Sequence, residues 1–354
     1  MTDVVVKNIT KIFGRITALS GVSFDIKDGE FFVLLGPTGA GKTTTLRVIA
    51  GLERQDEGSV LFDGEPIDRL SPAERDVAFV FEQYSLYPTM TVYDNLAFPL
   101  RSPLRNMSES KIRQRVEDTA EKLRIAHLLQ RRTANLSGGE MQRVAIGRAL
   151  VRDPRLFLMD EPLSNLDAKL REALRVELEH IQKTQGSTTL FVTHNQVEAL
   201  TMADRIAVLC EGRIVQIGTP NDIYDRPATT FVAQLVGSPR INLLEAGHEN
   251  GTLYIARSSI QMPLGPVAGA LPSPFILGVR PEDVQLKSDG DFSGKIVLIE
   301  PLGVETVFHI KVGEQTLLST APGMTHLRIG SEIRFNIVRE RLHYFRPDGK
   351  RVPV

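Results

Sequence analysis

The sequence predicts an α/β protein built on a parallel sheet, followed by a smaller all-β domain. Three observations carry this. Apolar runs (FFVLL at 31–35, LFLMD at 156–160, TTLFVT at 188–193, IAVLC at 206–210) have helical patterns between them. Such strand–helix alternation implies a parallel sheet covered on both faces. A Gly-rich turn, GPTGAGKT at 36–43, follows the first run and opens a helix. Past Gly237 the helical patterning stops and short strand-like runs take over. The chain has 354 residues, and at about 150 residues per domain two domains are expected. They are placed at 1–237 and 238–354, with the boundary near GSPRIN.

Residues 1–35 read as strands: VVVKNI and VSFDI alternate or are β-branched, and FFVLL is a short buried run. LRVIAGL then has helix spacing and stops at Gly51, a C′ position. SVLFDG and VAFVF read as further strands. From about Thr91 to Ala126 the character changes, and SESKIRQRVEDTAEKLRIAHLL carries apolar residues at helical spacing. A second helix runs from Gly139 to Arg152. In the C-terminal part INLLEA, LYIAR, FILGVR, KIVLIE, TVFHIKV, TLLST, EIRFNIV and LHYF read as strands. Turns such as HENG, SDGD and PDGK separate most of them, the pattern of a small barrel.

Composition narrows the function. Lys and Arg total 42 against 43 Asp and Glu, a net charge of −1. That excludes a bulk polycation holding nucleic acid by phosphate neutralisation. Cys210 is the one cysteine, so no intramolecular disulfide forms, and in IAVLC it reads as a small buried hydrophobe. No run reaches the roughly 18 apolar residues of a membrane span. MTDVVVKNIT lacks a basic region followed by an apolar core, so no signal peptide is expected. Any membrane role is expected to come through partners.

The residues with chemistry lie at strand ends. GPTGAGKT fits G-x-x-x-x-G-K-[ST] in the required strand–turn–helix context. Gly36, Pro37, Thr38, Gly39, Ala40 and Gly41 form a backbone cradle for an anion, continued by Lys42, Thr43 and Thr44. Lys42 places a cation on the β- and γ-phosphates, and Thr43 offers a hydroxyl to Mg²⁺. LFLMDE puts Asp160 at the C-terminal tip of a strand, where a parallel sheet binds ligands. Asp160 can hold Mg²⁺, and Glu161 can polarise a water for attack on the γ-phosphate. In LSGGE, Ser137, Gly138 and Gly139 precede a helix and offer a second anion-binding N-terminus. Two cradles for one phosphate chain suggest a dimer that uses one from each chain; a simple helix cap is the alternative. His194, at the end of TTLFVT, can hydrogen-bond a γ-phosphate, or else be a packing residue. His127, His180, His248, His309, His326 and His343 show no metal-ligand spacing.

These pieces in this order resemble the ATP-binding-cassette ATPases, with LSGG the distinguishing element. More narrowly, the chain is similar to the ATPase subunits of bacterial carbohydrate importers of the maltose and glycerol-phosphate type. The resemblance rests on GEFFVLLGPTGAGKTTTLRVIAGLE, EQYSLYPTMTVYDNLAFPL, LSGGEMQRVAIGRALVRDPRLFLMDEPLSNLDAKLR and VTHNQVEALTMADRIAVL. GTPNDIYDRPATTFVAQLVGSPRINLL and GVRPEDV extend it into the C-terminal part.

It implies a phosphate-loop NTPase cassette with a helical subdomain at about 91–150. An OB-like, transport-associated regulatory domain is implied after it. It implies ATP and Mg²⁺ as ligands and ATP hydrolysis as the activity. Phe13 matches the aromatic that stacks on adenine. Ser164, Asn165, Leu166 and Asp167 match the loop that crosses a dimer interface. Ser137, Gly138, Gly139 and Glu140 match the signature that meets the partner's nucleotide. The implied partners are a second ATPase subunit, two membrane permease subunits and an extracytoplasmic solute-binding protein, at the cytoplasmic face of the inner membrane, with no nucleic acid. The implied solute is a carbohydrate, polyol or glycerol-phosphate-like compound. The alternative is a cassette ATPase acting on ribosomes or DNA. A dinucleotide-binding dehydrogenase finds no G-x-G-x-x-G to support it.

Three positions depart from the family pattern. Glu82 stands where Gln is usual, with Gln83 one residue later. Glu140 replaces the commoner Gln, and Asn195 follows His194 where Asp is usual. The Glu82 position is assigned to the nucleotide and its Mg²⁺, with Gln83 in that role if the register slips by one residue.

Overall fold

The computed structural model describes residues 2–102, 107–264 and 271–353. The chain divides into two compact units, Met1–Pro220 and Asn221–Val354.

The first unit has two sheets. Strands β1 (Val4–Phe13), β2 (Ile16–Ile26), β4 (Glu57–Phe62) and β5 (Glu65–Pro66) form an antiparallel sheet in the order β2-β1-β4-β5. The six-stranded sheet runs β10-β9-β3-β8-β7-β6. Its members are β3 (Phe31–Leu35), β6 (Val77–Val80), β7 (Leu156–Asp160), β8 (Thr189–Thr193), β9 (Arg205–Cys210) and β10 (Arg213–Gly218). All are parallel except β10. β3, β7 and β8 are buried at every position, which is why their sequences run apolar instead of alternating. The two sheets and helix α1 (Lys42–Ala50) share one apolar core that includes Val6, Phe24, Leu34, Leu46, Leu158 and Leu190.

Register places the chemistry. Leu35 pairs with Thr193, and Asp160 pairs with Val192. The C-terminal tips of three adjacent strands are therefore level, and Gly36, Glu161 and His194 each leave the sheet at the same edge. α1 ends as its sequence predicts, at Gly51 in the left-handed region (φ 75°), whose N–H bonds the carbonyl of Val48 or Arg47.

Helices α2 (Val92–Ala97), α3 (Glu109–Lys122) and α4 (Gly138–Leu150) make the helical region, and residues 103–106 within it lie outside the described residues. α3 buries Ile112, Val116 and Ala120, a one-sided stripe. α5 (Ala168–Gln185) and α6 (Gln196–Met202) complete the unit.

The second unit begins with α7 (Pro220–Asp225), which straddles the division, and α8 (Thr230–Leu235). The division therefore falls before these helices and not at Gly237. The reason is Arg280, which is 1 % exposed. Its guanidinium donates to the carbonyls of Tyr224, Ala233 and Val236 at 2.8, 3.1 and 2.5 Å, tying both helices to the strands that follow.

Those strands form two five-stranded antiparallel sheets. The first contains β11 (Asn242–Glu249), β12 (Thr252–Ile255), β13 (Gln261–Pro263), β14 (Phe275–Val279) and β20 (His343–Phe345), in the order β13-β12-β11-β14-β20. The second contains β15 (Val284–Leu286), β16 (Phe292–Pro301), β17 (Glu305–Val312), β18 (Gln315–Pro322) and β19 (Glu332–Ile337), in the order β15-β19-β16-β17-β18. They close around one core, with Leu244 and Leu277 from the first sheet and Ile296, Phe308 and Phe335 from the second. The result is a nearly closed, OB-like antiparallel barrel. The sequence reading omits β13 and β15, which at three residues each are too short to alternate visibly. It also places Cys210 in the core, whereas the last position of β9 leaves it half-buried.

Candidate active site

The loop after β3 and the start of α1 build a cradle. Gly41 is the N-cap of α1 at φ 105°, with no side-chain cap. A residue with a Cβ is strained there, and N-terminal amides without a side-chain cap, with the helix dipole behind them, suit an anion. Lys42 is buried, 5 % exposed, and its ammonium donates to the carbonyls of Gly36 and Pro37 at 3.0 Å each. It also lies 3.2 Å from Glu161 Oε1. Glu161 Oε2 is 2.6 Å from His194 Nδ1. One carboxylate thus bridges the cradle lysine and the strand-end histidine.

Glu161 sits at φ 45°, an unusual backbone region for a side chain of this size. Ser164 Oγ donates to its carbonyl at 2.9 Å and holds the turn.

Thr43 Oγ1 donates to Asp160 Oδ1 at 3.0 Å. Burial pushes the Asp160 carboxyl up to about 6, with the charges of Glu161 and Glu82 adding to it and the Thr43 hydrogen bond opposing it. Hard oxygens beside crowded carboxylates suit a small divalent cation, so Thr43, Asp160 and Glu82 fit Mg²⁺.

Lys42, Thr43, Glu161 and His194 open into one cavity of about 540 Å³, which Asp160, buried behind Thr43, does not line. Thr38, Gly39, Gly41, Lys42, Thr43 and Thr44 line it together with Glu82, Glu161, Ser164 and His194. Ala40 is buried in the loop. Ile16, Thr17, Ala18, Glu211 and Gly212 also line the cavity, and sequence reasoning missed them. The Glu211–Gly212 turn is brought there by long-range hydrogen bonds, Gly212 N–H to Ala40 O at 3.0 Å and Ser20 N–H to Gly212 O at 2.8 Å. The Glu-Gly pair signals a turn but carries no signal of that neighbour.

Several expected residues stand elsewhere. Phe13 is not in the cavity lining; its ring is half-exposed, with Lys11 Nζ 5.0 Å from the centroid. Gln83 is exposed and outside the lining, and its carbonyl accepts from Ser85 Oγ at 2.8 Å. Ser137, Gly138, Gly139, Glu140 and Asp167 do not line the cavity of their own chain. They form a second group at the starts of α4 and α5.

Ser137 Oγ accepts from the Glu140 N–H at 3.4 Å, and the Glu140 carboxylate accepts from the Ser137 N–H at 2.7 Å, a reciprocal capping box. The hydrogen bonds from Ser137, the backbone N–H first, hold the Glu140 carboxyl below its ordinary range. Glu fits this position because its carboxylate closes the box. Asp167 caps α5 by accepting from Leu170 N–H at 3.0 Å. A Cβ on Gly139 would come within 1.9 Å of Leu170 Cδ2, so the two helix starts are in direct contact.

A separate groove of about 310 Å³ involves the loop after β6 and the helical region. Tyr87 and Phe98, both well exposed, have ring centroids 4.8 Å apart. The Arg148 guanidinium lies 5.6 Å from the Tyr87 ring and donates to Ser85 O at 2.7 Å.

Comparison with known proteins agrees with this geometry. Residues 19–164 match the ABC transporter family and residues 277–345 the TOBE domain. The trehalose/maltose import ATP-binding protein MalK of Thermococcus litoralis is 44 % identical over 98 % of this chain and 98 % of its own. The sn-glycerol-3-phosphate import ATP-binding protein UgpC of Cupriavidus necator is 42 % identical over 99 % of this chain and all of its own. The alpha-glucoside transport ATP-binding protein AglK of Rhizobium meliloti is 41 % identical over 99 % of both. Among solved structures, an ATP-binding cassette of an ABC transporter in its ADP conformation matches with a TM-score of 0.58 at 30 % identity. It covers 66 % of this chain and 98 % of its own. A dimeric cassette bound to ADP and Pi matches with a TM-score of 0.56 at 33 % identity, over 61 % of this chain and 98 % of its own. Nothing in these relatives supports action on ribosomes or DNA. With its phosphate cradle, its LSGG helix start and relatives matched from end to end, the chain belongs to the ATP-binding subunits of ABC transporters, the group that holds these import proteins.

Proposed function

We propose that this ATPase drives an importer for a carbohydrate, polyol or glycerol-phosphate-like solute. The importer and its solute class are supported by the likeness to trehalose/maltose, sn-glycerol-3-phosphate and alpha-glucoside transport ATP-binding proteins over nearly the whole chain, and the hydrolysis by the Glu161 carboxylate, held between Lys42 and His194 in the cavity that the phosphate loop lines. In this reading ATP lies in the cradle of Gly36 to Thr44, with Phe13 against the base. Lys42 leaves Glu161 to neutralise the β- and γ-phosphates. The freed Glu161 orients a water and accepts its proton, while His194 hydrogen-bonds the γ-phosphate. Thr43, Asp160 and Glu82 would hold Mg²⁺, which supplies charge neutralisation on the phosphate oxygens. Glu82 fills the position usually taken by Gln, since it lines the cavity and Gln83 does not.

The unit is a dimer in this reading. Ser137, Gly138, Gly139 and Glu140 stand outside their own chain's cavity and serve the nucleotide of the partner, with Asp167 at the interface. The likeness to a dimeric cassette with ADP and Pi supports the arrangement. Two membrane permease subunits and an extracytoplasmic solute-binding protein complete the transporter, and the exposed Tyr87–Phe98 groove suits a short helix from a permease. Among the described residues no helix is long and apolar enough to cross a membrane; in this reading those partners hold the chain at the cytoplasmic face of the inner membrane. The barrel is assigned a regulatory role.

The test reconstitutes the chain with its permeases and binding protein and screens solutes for stimulated ATP hydrolysis. Stimulation by one sugar, polyol or glycerol phosphate is expected. Stimulation by ribosomes or DNA and by no solute would reject the proposal.

A further inference from the structure

Adjoining the catalytic groups is a second polar cavity of about 50 Å³, shared by Glu161, Arg171, His194, Asn195 and Glu198. Glu198 is 4 % exposed, and both of its carboxylate oxygens are engaged. Oε2 accepts from the Thr193 hydroxyl at 2.5 Å and Oε1 accepts from Asn195 Nδ2 at 3.2 Å. Neither donor can turn away. The Thr193 oxygen itself accepts from the Asn195 N–H at 2.9 Å, and Asn195 Oδ1 accepts from the Val197 N–H at 2.9 Å. His194 therefore lies between two residues locked to one buried carboxylate.

The start of α4 shows what an ordinary box does. There Glu140 accepts directly from the N-cap N–H. At α6 the cap is Asn195 and Glu198 occupies the matching third position. Yet the N-cap N–H goes to Thr193, and Glu198 is drawn inside to hold the residues on either side of His194. A buried carboxylate costs stability that an apolar residue would not, and capping alone does not require it.

We propose that Glu198 is a positioning residue for hydrolysis, one that sets where His194 Nδ1 meets the Glu161 carboxylate. It acts by fixing the Thr193–Asn195 backbone, and Asn195 is the matched donor that this chain supplies. The proposal rests on the reading that Glu161 and His194 act on ATP.

The test uses the full chain and compares wild type with Glu198→Gln, Thr193→Val and a double variant that combines Asn195→Asp with Glu198→Gln. Glu198→Gln leaves one acceptor oxygen where two donors, the Thr193 hydroxyl and the Asn195 amide, each need one, and Thr193→Val removes the hydroxyl that ties Glu198 and the Asn195 N–H without changing charge. Each is expected to lower kcat about tenfold, with KM and mant-ATP affinity held, because a small misplacement of a catalytic group costs rate before it costs binding. In the double variant the amide introduced at position 198 donates to the carboxylate introduced at position 195, and most of the lost kcat returns. If Glu198→Gln yields no soluble protein, Thr193→Val decides alone. Wild-type kcat in Thr193→Val or a soluble Glu198→Gln, or a double variant no faster than Glu198→Gln, overturns the proposal. A wild-type chain that does not hydrolyse ATP would instead overturn the function on which it rests.

Discussion

Gly139→Ala tests whether contact between the starts of α4 and α5 is a steric fit. The new Cβ would stand 1.9 Å from Leu170 Cδ2, against about 3.5–4.0 Å for an ordinary carbon contact. The leucine branch must retreat by roughly 2 Å or α4 must shift. The atom met is the tip of a half-buried, flexible leucine, so the cost lies at the low end of the about 1–3 kcal/mol of core overpacking. Replacing a helical glycine returns up to about 1 kcal/mol, and less so near a helix end, leaving a net loss of at most about 1 kcal/mol. Leu170→Ala makes room, so the double variant should be more stable than the two single losses sum to, by at least about 1 kcal/mol. Urea unfolding of the four proteins at one pH measures this. ATP hydrolysis should fall in Gly139→Ala, because in the proposed dimer the displaced helix start serves the partner's nucleotide. Additive stabilities, or an unperturbed Gly139→Ala, would refute the fit.

Three further outcomes follow from the site and the barrel. Lys42→Ala should weaken ATP affinity at least about tenfold, since it removes a charge-assisted contact to phosphate; unchanged mant-ATP binding would contradict the cradle. Glu82→Gln should raise solute-coupled ATPase activity, because a carboxylate about 4 Å from phosphate charge costs on the order of 4 kcal/mol at a dielectric of 20, less its attraction to Mg²⁺. Gln83→Ala should matter less; a collapse there with no change at Glu82→Gln would exchange the two roles. Asp283→Asn should stabilise the barrel at neutral pH. Burial pushes the Asp283 carboxyl up from 3.8 to about 6, with Arg341 opposing. The folded chain binds that proton more tightly than the unfolded one, so stability from this group is full below about pH 4 and is lost as pH rises through 6. A shift of about 2 units corresponds to roughly 3 kcal/mol, and the gain of the variant in urea unfolding should vanish near pH 4.

Much of this was legible because the signals were local. Gly36 to Thr43 needs only a strand before it and a helix after it, and the buried tips of β7 and β8 are apolar runs ending in Asp160 and Thr193. The capping box at Ser137 and Glu140 is a four-residue pattern. What was not legible depends on distant partners. Ile16 to Ala18 and the Glu211 turn reach the cavity because the β9–β10 turn bonds the loop at Ala40 and β2 bonds that turn at Gly212. The positive φ of Glu161 leaves no mark in composition. Helices α7 and α8 join the second unit through Arg280, whose carbonyl partners lie 44 to 56 residues earlier in the chain. β13 and β15 are too short for periodicity to show.

In the proposed function Glu161 performs hydrolysis within a dimer, which ATP is expected to close. Glu161→Gln keeps the cradle of Lys42 and Thr43 while removing the carboxylate. The decisive measurement is the mass of this variant in solution by light scattering, with and without ATP and Mg²⁺, alongside its hydrolysis rate. Hydrolysis reduced at least about a hundredfold and a stable dimer that appears only with ATP are expected. Hydrolysis at the wild-type rate, or a monomer that binds ATP without associating, would contradict the proposed function.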